Sequence, residues 1–195
     1  YEIPLCDWSS DVCSSDLGSF DPIHVCHELL VAKFLKLYDI ERLYVVPNFL
    51  NPDKNSSFAP GDIRLKWCKT VFEKYPNVIV SDIEIKEQKP CFTFDTVNKI
   101  YDEVGKQRYG KIFLIIGADN ATKISGWKHG KELLEIVSPV VFSRNGEIPD
   151  RFIQIDFECP FSSADFRNTP DPSVIPVEVR DDVMNYYYKE KICLN

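Results

Sequence analysis

The sequence predicts an α/β fold, a single domain in which helices cover both faces of a parallel sheet. Its 195 residues fit one domain with a sizeable hydrophobic core. Short apolar runs of strand length alternate along the chain with longer stretches in which apolar residues recur at helical spacing. Strands separated by helices of this length pair in parallel, and such a sheet binds ligands beyond the carboxyl ends of its strands.

The first half of the chain supplies two helices and two strands. Apolar spacing predicts a helix over 28–38, and the short apolar run at 42–46 predicts a buried strand. The next helix is predicted over 62–75, where Asp62 is expected to cap the first turn. Residues 78–85 alternate in polarity and are therefore expected to form a second strand.

The second half continues the alternation. Apolar residues recur at helical spacing over 94–104, and the continuous apolar run at 111–116 predicts a buried strand. Further strands are predicted at 139–143 and, with a weaker pattern, at 151–156. The last helix is expected to begin at Pro176, a residue that suits a first helical turn. Together these elements predict a Rossmann-like, doubly wound parallel sheet.

Composition narrows the class of protein. The net charge of −7 argues against a general nucleic-acid binder, and no apolar run is long enough to cross a bilayer. The seven cysteines are scattered and form no C-x-x-C pair, so they indicate neither a disulfide framework nor a zinc knuckle. With no secretory signal in the first residues, we expect a reduced, cytoplasmic setting. The polar segment 48–61 is long for a plain connection and is expected to be a mobile substrate loop.

Two of the three histidines, His24 and His27, stand where the first helix is expected to begin. Their spacing of three places them on one helix face, and the free N–H groups at a helix start suit a phosphate. Two imidazoles there can donate hydrogen bonds to phosphate oxygens as charge builds in a transition state. If the H-x-x-H spacing is considered alone, the simpler alternative is that both histidines lie on the surface and have no functional role. A zinc site is disfavoured because no Cys or carboxylate partner stands at a typical ligand spacing.

The whole segment 18–27 (GSFDPIHVCH) resembles the G-G-S-F-D-P-x-H-x-G-H signature of the nucleotidylyltransferase superfamily. Leu17 and Cys26 stand where that signature has glycine, and Cys26 puts close approach of a nucleotide in doubt. A second segment, 161–167 (FSSADFR), resembles the superfamily's I-S-S-T-x-I-R, with Ala164 in place of threonine. Its hydroxyls and Arg suit an anion, whereas taken alone a serine helix cap with a surface Arg is the simpler interpretation.

Further segments resemble one branch of that superfamily, the bacterial nicotinate-mononucleotide adenylyltransferases. They are an I-G-x-D segment ending at Asp119, a helix start containing Phe92 and Thr93, a tryptophan at Trp127, an R-x-G segment at Arg144 and a loop lysine at Lys54. The resemblance extends from Gly18 to about Tyr188. Simpler roles stay open for some of these residues: core packing for Trp127 and Phe92, and a solvated charge for Lys54.

The resemblance implies transfer of AMP from ATP to nicotinate mononucleotide, with release of pyrophosphate, in NAD biosynthesis. It implies catalytic roles for His24, His27 and Arg167. The ATP contacts would be Gly18, Ser19, Phe20, Ser162, Ser163 and Asp119. The mononucleotide contacts would be Lys54, Phe92, Thr93, Trp127 and Arg144.

The expected partners are thus ATP and nicotinate mononucleotide, with neither nucleic acid nor membrane, and a homodimer is compatible with the pattern. Mg²⁺ is expected to arrive on the triphosphate, without a metal site in the protein. Alternatives are another adenylyltransferase of the superfamily, acting on pantetheine phosphate or FMN, and a nucleotide-binding module without turnover.

The first 17 residues do not follow the pattern of the rest. Segment 7–17 carries Ser and Asp where a central strand needs Val, Ile or Leu, and such side chains are costly to bury without partners. We therefore expect residues 1–17 to pair poorly, leaving a gap beside the strand at 111–116. The stretch also resembles translated sequencing-adapter text. We accordingly separate an atypical N-terminal stretch at 1–17, whose native origin is open, from a nucleotidylyltransferase domain at 18–195.

Overall fold

The computed structural model describes residues 13–52, 54–105, 112–143 and 148–192, with side chains from Gly18 to Tyr188 within those ranges. Its six strands form one sheet in the order β3-β2-β1-β4-β5-β6, and every neighbouring pair is parallel. The strands are β1 (Cys13–Gly18), β2 (Arg42–Pro47), β3 (Val78–Val80), β4 (Ile112–Gly117), β5 (Val137–Ser143) and β6 (Ile153–Asp156). The order runs outward from β1 in both directions, which confirms the predicted doubly wound α/β fold.

Helices cover both faces of this sheet. They are α1 (Val25–Leu37), α2 (Gly61–Phe72), α3 (Ile83–Glu87), α4 (Thr93–Val104), α5 (Ala118–Ala121), α6 (Gly130–Ile136), α7 (Ser163–Asn168) and α8 (Arg180–Ile192), with single 3₁₀ turns at Ile124–Gly126 and Pro172–Val174. Across the described ranges, no helix combines the length and the apolar character that a membrane crossing requires.

Two apolar clusters fill the space between sheet and helices. Leu43 and Val45 of β2 pack on one side with residues of α1, α2 and α8. Tyr44 and Val46, the alternate residues of the same strand, pack on the other side with residues of α4 and α6. This alternation follows from the two-residue period of a strand, and it explains why β2 is apolar on both faces.

β1 corrects the expectation for the N-terminal stretch. All six of its residues are in register with β2, and Ser14–Asp16 also pair with Phe113–Ile115 of β4. The prediction that residues 13–17 would pair poorly and leave a gap beside β4 is therefore wrong. Sheet pairing is made by main-chain N–H and C=O groups, which Ser and Asp carry as well as Val does. Residues 1–12 lie outside the described ranges, so the native origin of the N-terminal stretch stays a prediction.

Three boundaries also differ from expectation. The strand expected at 78–85 ends at Val80, because the Ser81 hydroxyl accepts a hydrogen bond from the Ile83 N–H (3.3 Å) and turns the chain into α3. Pro60, not Asp62, occupies the N-cap of α2, and Asp62 lies in the first turn, where its charge favours the helix dipole. The last helix begins at Arg180 rather than Pro176.

Candidate active site

The loop that follows β1 carries the two histidines to the carboxyl edge of the sheet. His24 is the N-cap of α1, and His27 is the third residue of the helix. Their ring centroids lie 3.8 Å apart, and the His24 N–H donates to His27 Nδ1 at 3.1 Å. The structure therefore brings the two imidazoles together at the start of a 13-residue helix, as the spacing predicted.

Both imidazoles are neutral at pH 7. Burial lowers the pKa of His24 to about 4, although the nearby Asp165 carboxylate opposes this shift. Burial and the adjacent His24 ring lower the pKa of His27 well below its ordinary value. Because His27 Nδ1 accepts a backbone hydrogen bond, the neutral ring carries its proton on Nε2. The pair therefore offers N–H donors to an anion without a fixed positive charge.

The remaining residues of the first motif shape the loop. Phe20 has a left-handed backbone (φ 47°) and a fully buried ring, which packs 4.8 Å from the His27 ring. An ATP contact at Phe20 is thus restricted to its backbone. Gly18 and Ser19 are partly buried, and a Cβ at Gly18 would lie 3.2 Å from the Phe20 ring. This close approach gives Gly18 a packing role in addition to its expected contact with ATP.

Asp21 joins this loop to its neighbours. Its buried carboxylate accepts hydrogen bonds from the backbone N–H groups of Phe58 (2.8 Å) and Ala59 (3.0 Å) and from the Tyr187 hydroxyl. Burial and the Asp21 carboxylate both raise the pKa of Tyr187. The carboxyl end of the expected substrate loop is therefore anchored directly beside the histidines.

Arg64 is a site residue that sequence reasoning missed. Its side chain is fully buried and donates to the carbonyl oxygens of Asn48 (2.7 Å), Phe49 (2.9 Å), Ala59 (2.9 Å) and Ser19. One guanidinium thus ties the loop after β1 to both ends of the loop after β2. A signal was present in the sequence, because Arg64 shares a helix face with buried apolar residues at Trp67, Cys68 and Val71.

The second motif lies against the first. Ser163 Oγ donates to Pro22 O at 2.8 Å, and Arg167 Nη1 donates to Asp21 O. The Arg167 guanidinium also stacks 4.5 Å over the Phe58 ring. Ser162 forms a capping box with Asp165, in which Ser162 Oγ accepts from the Asp165 N–H at 3.2 Å. The simpler interpretation as a helix cap therefore describes Ser162, while Ser163 and Arg167 join the two motifs.

The residues expected to contact the mononucleotide lie in several places. Thr93 and Trp127 line a cavity of about 80 Å³ at the carboxyl end of β4, where Gly117 and Asn120 are also found. Phe92 lies beside it, half-buried, with Lys128 Nζ 4.2 Å above its ring. Two further residues are exposed: Asp119 in the first turn of α5 and Lys54 in the loop after β2. Arg144 lies outside the described residues.

A second buried polar group that sequence reasoning missed joins α3 to α4. Glu84 of α3 is buried, and its Oε1 accepts a hydrogen bond from the Thr96 hydroxyl at 2.6 Å. Burial raises the pKa of the Glu84 carboxyl to about 7, although the Thr96 hydrogen bond opposes this shift. A buried acid that titrates near neutrality therefore supports the first turns of α4.

The cysteines correct a further expectation. Cys26 and Cys159 form a disulfide that joins the two motifs across 133 residues of sequence. The scattered cysteines indicated no disulfide framework and a reduced setting, and this single bond departs from that expectation because the fold brings together residues whose sequence spacing is uninformative. A ring nitrogen of His24 and the two sulfurs lie within 4.8 Å of one another. Cys159, distant in the sequence, thus brings a sulfur close to His24, although in the disulfide that sulfur is not a thiolate.

A family model described as cytidylyltransferase-like matches residues 17–169. A protein of Sulfurimonas denitrificans named probable nicotinate-nucleotide adenylyltransferase is 36% identical over 177 residues, which are 90% of this chain and 94% of that protein. A protein of the same name from Aliarcobacter butzleri is 35% identical over 171 residues, 86% of this chain and 92% of that protein.

Among solved structures, the nicotinic acid mononucleotide adenylyltransferase of Plasmodium falciparum, complexed with NaAD, matches with a TM-score of 0.72 at 19% identity. That match covers 94% of this chain and 98% of that chain. At this identity the structural likeness shows a shared fold.

Proposed function

The chain belongs to the cytidylyltransferase-like family, among the nicotinate-nucleotide adenylyltransferases, and we propose that it transfers AMP from ATP to nicotinate mononucleotide. The products are nicotinate adenine dinucleotide, a precursor of NAD, and pyrophosphate. The observation that carries the proposal is the neutral pair His24 and His27 at the start of α1, joined by Ser163 and Arg167 of the second motif.

The reaction is a direct displacement. A phosphate oxygen of nicotinate mononucleotide attacks the α-phosphorus of ATP, the bond from that phosphorus to the bridging oxygen breaks, and pyrophosphate leaves with the electron pair. The attacking phosphate is already anionic at neutral pH, so no general base is needed. The work of the protein is then to position the two substrates and to stabilise charge in the transition state.

We assign charge stabilisation to the histidines. His27 Nδ1 accepts the His24 N–H, so Nε2–H is the donor that His27 can offer to a phosphate oxygen. The positive end of the helix dipole at the start of α1 also favours an anion. Neutral donors suit this step because their hydrogen bonds become stronger as negative charge develops on the phosphoryl oxygens. They also hold the pyrophosphate product less tightly than a cation would.

Arg167 is proposed to hold the outer phosphates. Its Nη1 donates to Asp21 O, which fixes the guanidinium at the junction of the two motifs and leaves further N–H donors for a ligand. Ser163 acts by binding Pro22 O, which keeps α7 against the loop that carries the histidines. Asp119 and the backbone of the 18–20 segment remain proposed contacts to the adenosine.

The mononucleotide is proposed to bind at the cavity formed by Thr93 and Trp127, with the indole face against the pyridine ring. This cavity lies at the end of β4, which pairs directly with β1. A substrate there is therefore one strand away from the loop that carries the histidines. Phe92, Lys54 and Arg144 remain proposed contacts to the same substrate.

Nucleotidyltransferases of this kind commonly use a divalent metal with ATP, and we propose that Mg²⁺ arrives on the triphosphate. Mg²⁺ prefers carboxylate oxygens and water. The Asp21 carboxylate beside the histidines already accepts three hydrogen bonds, and Asp165 is engaged in the capping box. These residues do not fit a magnesium site built by the protein, which supports a cation that the nucleotide carries.

We further propose that the enzyme acts in the cytoplasm and that its partners are small molecules rather than nucleic acid. The net charge of −7 supports the latter. A homodimer remains a prediction.

One assay separates this function from its alternatives. The purified protein is given ATP, Mg²⁺ and one of nicotinate mononucleotide, nicotinamide mononucleotide, pantetheine phosphate or FMN, and pyrophosphate release is followed. Release is expected to be fastest with nicotinate mononucleotide. Fastest release with pantetheine phosphate or FMN would assign the protein to another branch. Binding of ATP without pyrophosphate from any acceptor would identify a binding module.

A further inference from the structure

The disulfide lies in the wall of the proposed phosphate site. Cys26 is the second residue of α1, between the two histidines, and Cys159 precedes the second motif by two residues. Cys26 is buried and Cys159 is half-buried. The two Cα atoms are 5.8 Å apart, and both sulfurs lie within 4.8 Å of a His24 ring nitrogen. Two sulfur atoms and one imidazole nitrogen thus lie close together.

His24 provides an independent sign of a missing ligand. Its side chain is only 6% exposed. Within the described part of the chain no well-formed hydrogen bond reaches its Nδ1 atom, although the His27 N–H faces the His24 side chain in a capping-box arrangement. A buried polar atom without a partner is costly, and such an atom calls for an explanation by a ligand or ion. A neutral imidazole with a free ring nitrogen is the form that binds metals.

We propose that reduction of the Cys26–Cys159 disulfide converts this cluster into a binding site for a thiophilic divalent cation such as Zn²⁺. The ligands are the two thiolates and Nδ1 of His24. Zinc favours this donor set, and three protein ligands leave a fourth tetrahedral position for water or a substrate oxygen. Mg²⁺ does not compete for it, because hard cations prefer oxygen.

The chemistry balances in two steps. A dithiol reductant gives two electrons and two protons to the disulfide, which leaves two protein thiols and an oxidised dithiol. The cation then replaces both thiol protons, which are released to solvent. With bonds of about 2.3 Å to one tetrahedral ion, the sulfurs are about 3.8 Å apart. Rotation of the two side chains is sufficient for that separation across the observed Cα distance.

Binding of the cation should also affect catalysis. This consequence rests on the proposed function, whereas the cation binding itself does not. A cation on Nδ1 adds positive charge to an imidazole that we assign to the phosphate site, and its fourth ligand occupies the adjoining space. Thiophilic cations should therefore inhibit the reduced enzyme, whereas the disulfide form should be insensitive to them.

Cobalt provides the direct test. The whole protein is treated with a dithiol, freed of reductant without air and titrated with Co²⁺. We expect one Co²⁺ per chain, a thiolate-to-cobalt charge-transfer band in the near ultraviolet and the visible bands of a tetrahedral ion. One equivalent of Zn²⁺ should abolish these bands, and protein with the disulfide intact should not develop them. Absence of the charge-transfer band from the reduced protein would overturn the proposal.

Variants identify the ligands. Cys26→Ser and Cys159→Ser should each lose the charge-transfer band, while Cys91→Ala, at a buried free cysteine elsewhere, should keep it. His24→Gln should keep thiolate absorption but weaken Co²⁺ binding by at least about tenfold, since loss of even an outer partner of a metal ligand costs that much. A band that survives in Cys159→Ser would refute the assignment.

Alkylation of the unmodified protein avoids any dependence on the folding of variants. The reduced protein is treated with iodoacetamide with and without one equivalent of Zn²⁺, and each cysteine is quantified by peptide mapping. Zn²⁺ should protect Cys26 and Cys159 together. Cys6, Cys13 and Cys193, whose side chains lie outside the described residues, are measured separately in the same map. Protection of other cysteines in place of this pair would contradict the proposal, whatever the enzyme's activity.

Discussion

Replacement of Arg64 by methionine tests how the active-site loops are held. Methionine keeps an unbranched apolar stem but removes every donor to the carbonyl oxygens of Ser19, Asn48, Phe49 and Ala59. Ala59 is fully buried, so its carbonyl bears the whole cost of a lost partner, about 2 kcal/mol. The other three residues are partly buried and can recruit water, which reduces their cost to about 0.5 kcal/mol each.

These contributions predict a loss of about 3 to 4 kcal/mol in the free energy of unfolding. For a chain of this size, that corresponds to a fall of roughly 6 to 16 °C in Tm. Since the same carbonyls belong to the loops beside the histidines, kcat/KM should fall as well, even under conditions where the variant is fully folded. Arg64→Lys keeps the charge but not the planar fork, and it should recover only part of the loss.

Urea denaturation and thermal melting measure the stability, and pyrophosphate release measures the activity. Arg180→Met is a matched control, because this half-buried guanidinium donates to a single carbonyl, that of Ile175, at 3.1 and 3.2 Å. It should cost about 1 kcal/mol. The reasoning is refuted if Arg64→Met unfolds within about 1 kcal/mol of the parent, or if the two variants lose equal stability.

Three further predictions concern single side chains. Alanine at His24 or His27 should lower kcat by about a hundredfold or more with the fold intact, as for loss of a transition-state donor, and activity within a few-fold of the parent in both variants would contradict this role. Trp127→Ala should raise KM for the pyridine mononucleotide more than KM for ATP, whereas equal effects in steady-state kinetics would mean that the indole only packs. The raised pKa of Glu84, about 7, means that the folded protein holds a proton that the unfolded chain has already released. That contribution to stability is present at about pH 5 and lost as the pH rises through 7, so the Glu84 contribution to the free energy of unfolding should fall by about 2 kcal/mol between about pH 5 and pH 8. The lowered pKa values of His24 and His27 act in the opposite direction over this range, so the Glu84 contribution is measured as the difference in free energy of unfolding between the parent and Glu84→Gln. That difference should fall as the pH rises, and a difference independent of pH in urea titrations would contradict the assignment.

The sequence alone predicted five of the six strands and the main helices between them, and it identified candidate residues for the site. Buried strands such as β2 and β4 are continuous apolar runs, and α4 has a clear helical period, so each of these elements is encoded by neighbours along the chain. The two motifs are contiguous segments of specific residues, which is why the sequence by itself identifies His24, His27 and Arg167 as candidates. The pairing of Thr93 with Trp127 followed from the same resemblance, and the structure places both on one cavity.

Only the tertiary structure decided the contacts that hold the site together. Main-chain pairing, which apolar patterning does not encode, makes β1 a central strand in spite of its Ser and Asp residues. The Cys26–Cys159 bond spans 133 residues, and the contact from Arg167 to Asp21 spans 146. Helix periodicity could have indicated that Arg64 is buried, but not its four acceptors, which come from loops that meet only after the sheet has formed. Local periodicity specifies elements because it acts between residues a few positions apart, whereas these contacts arise between segments that only the folded sheet brings into reach.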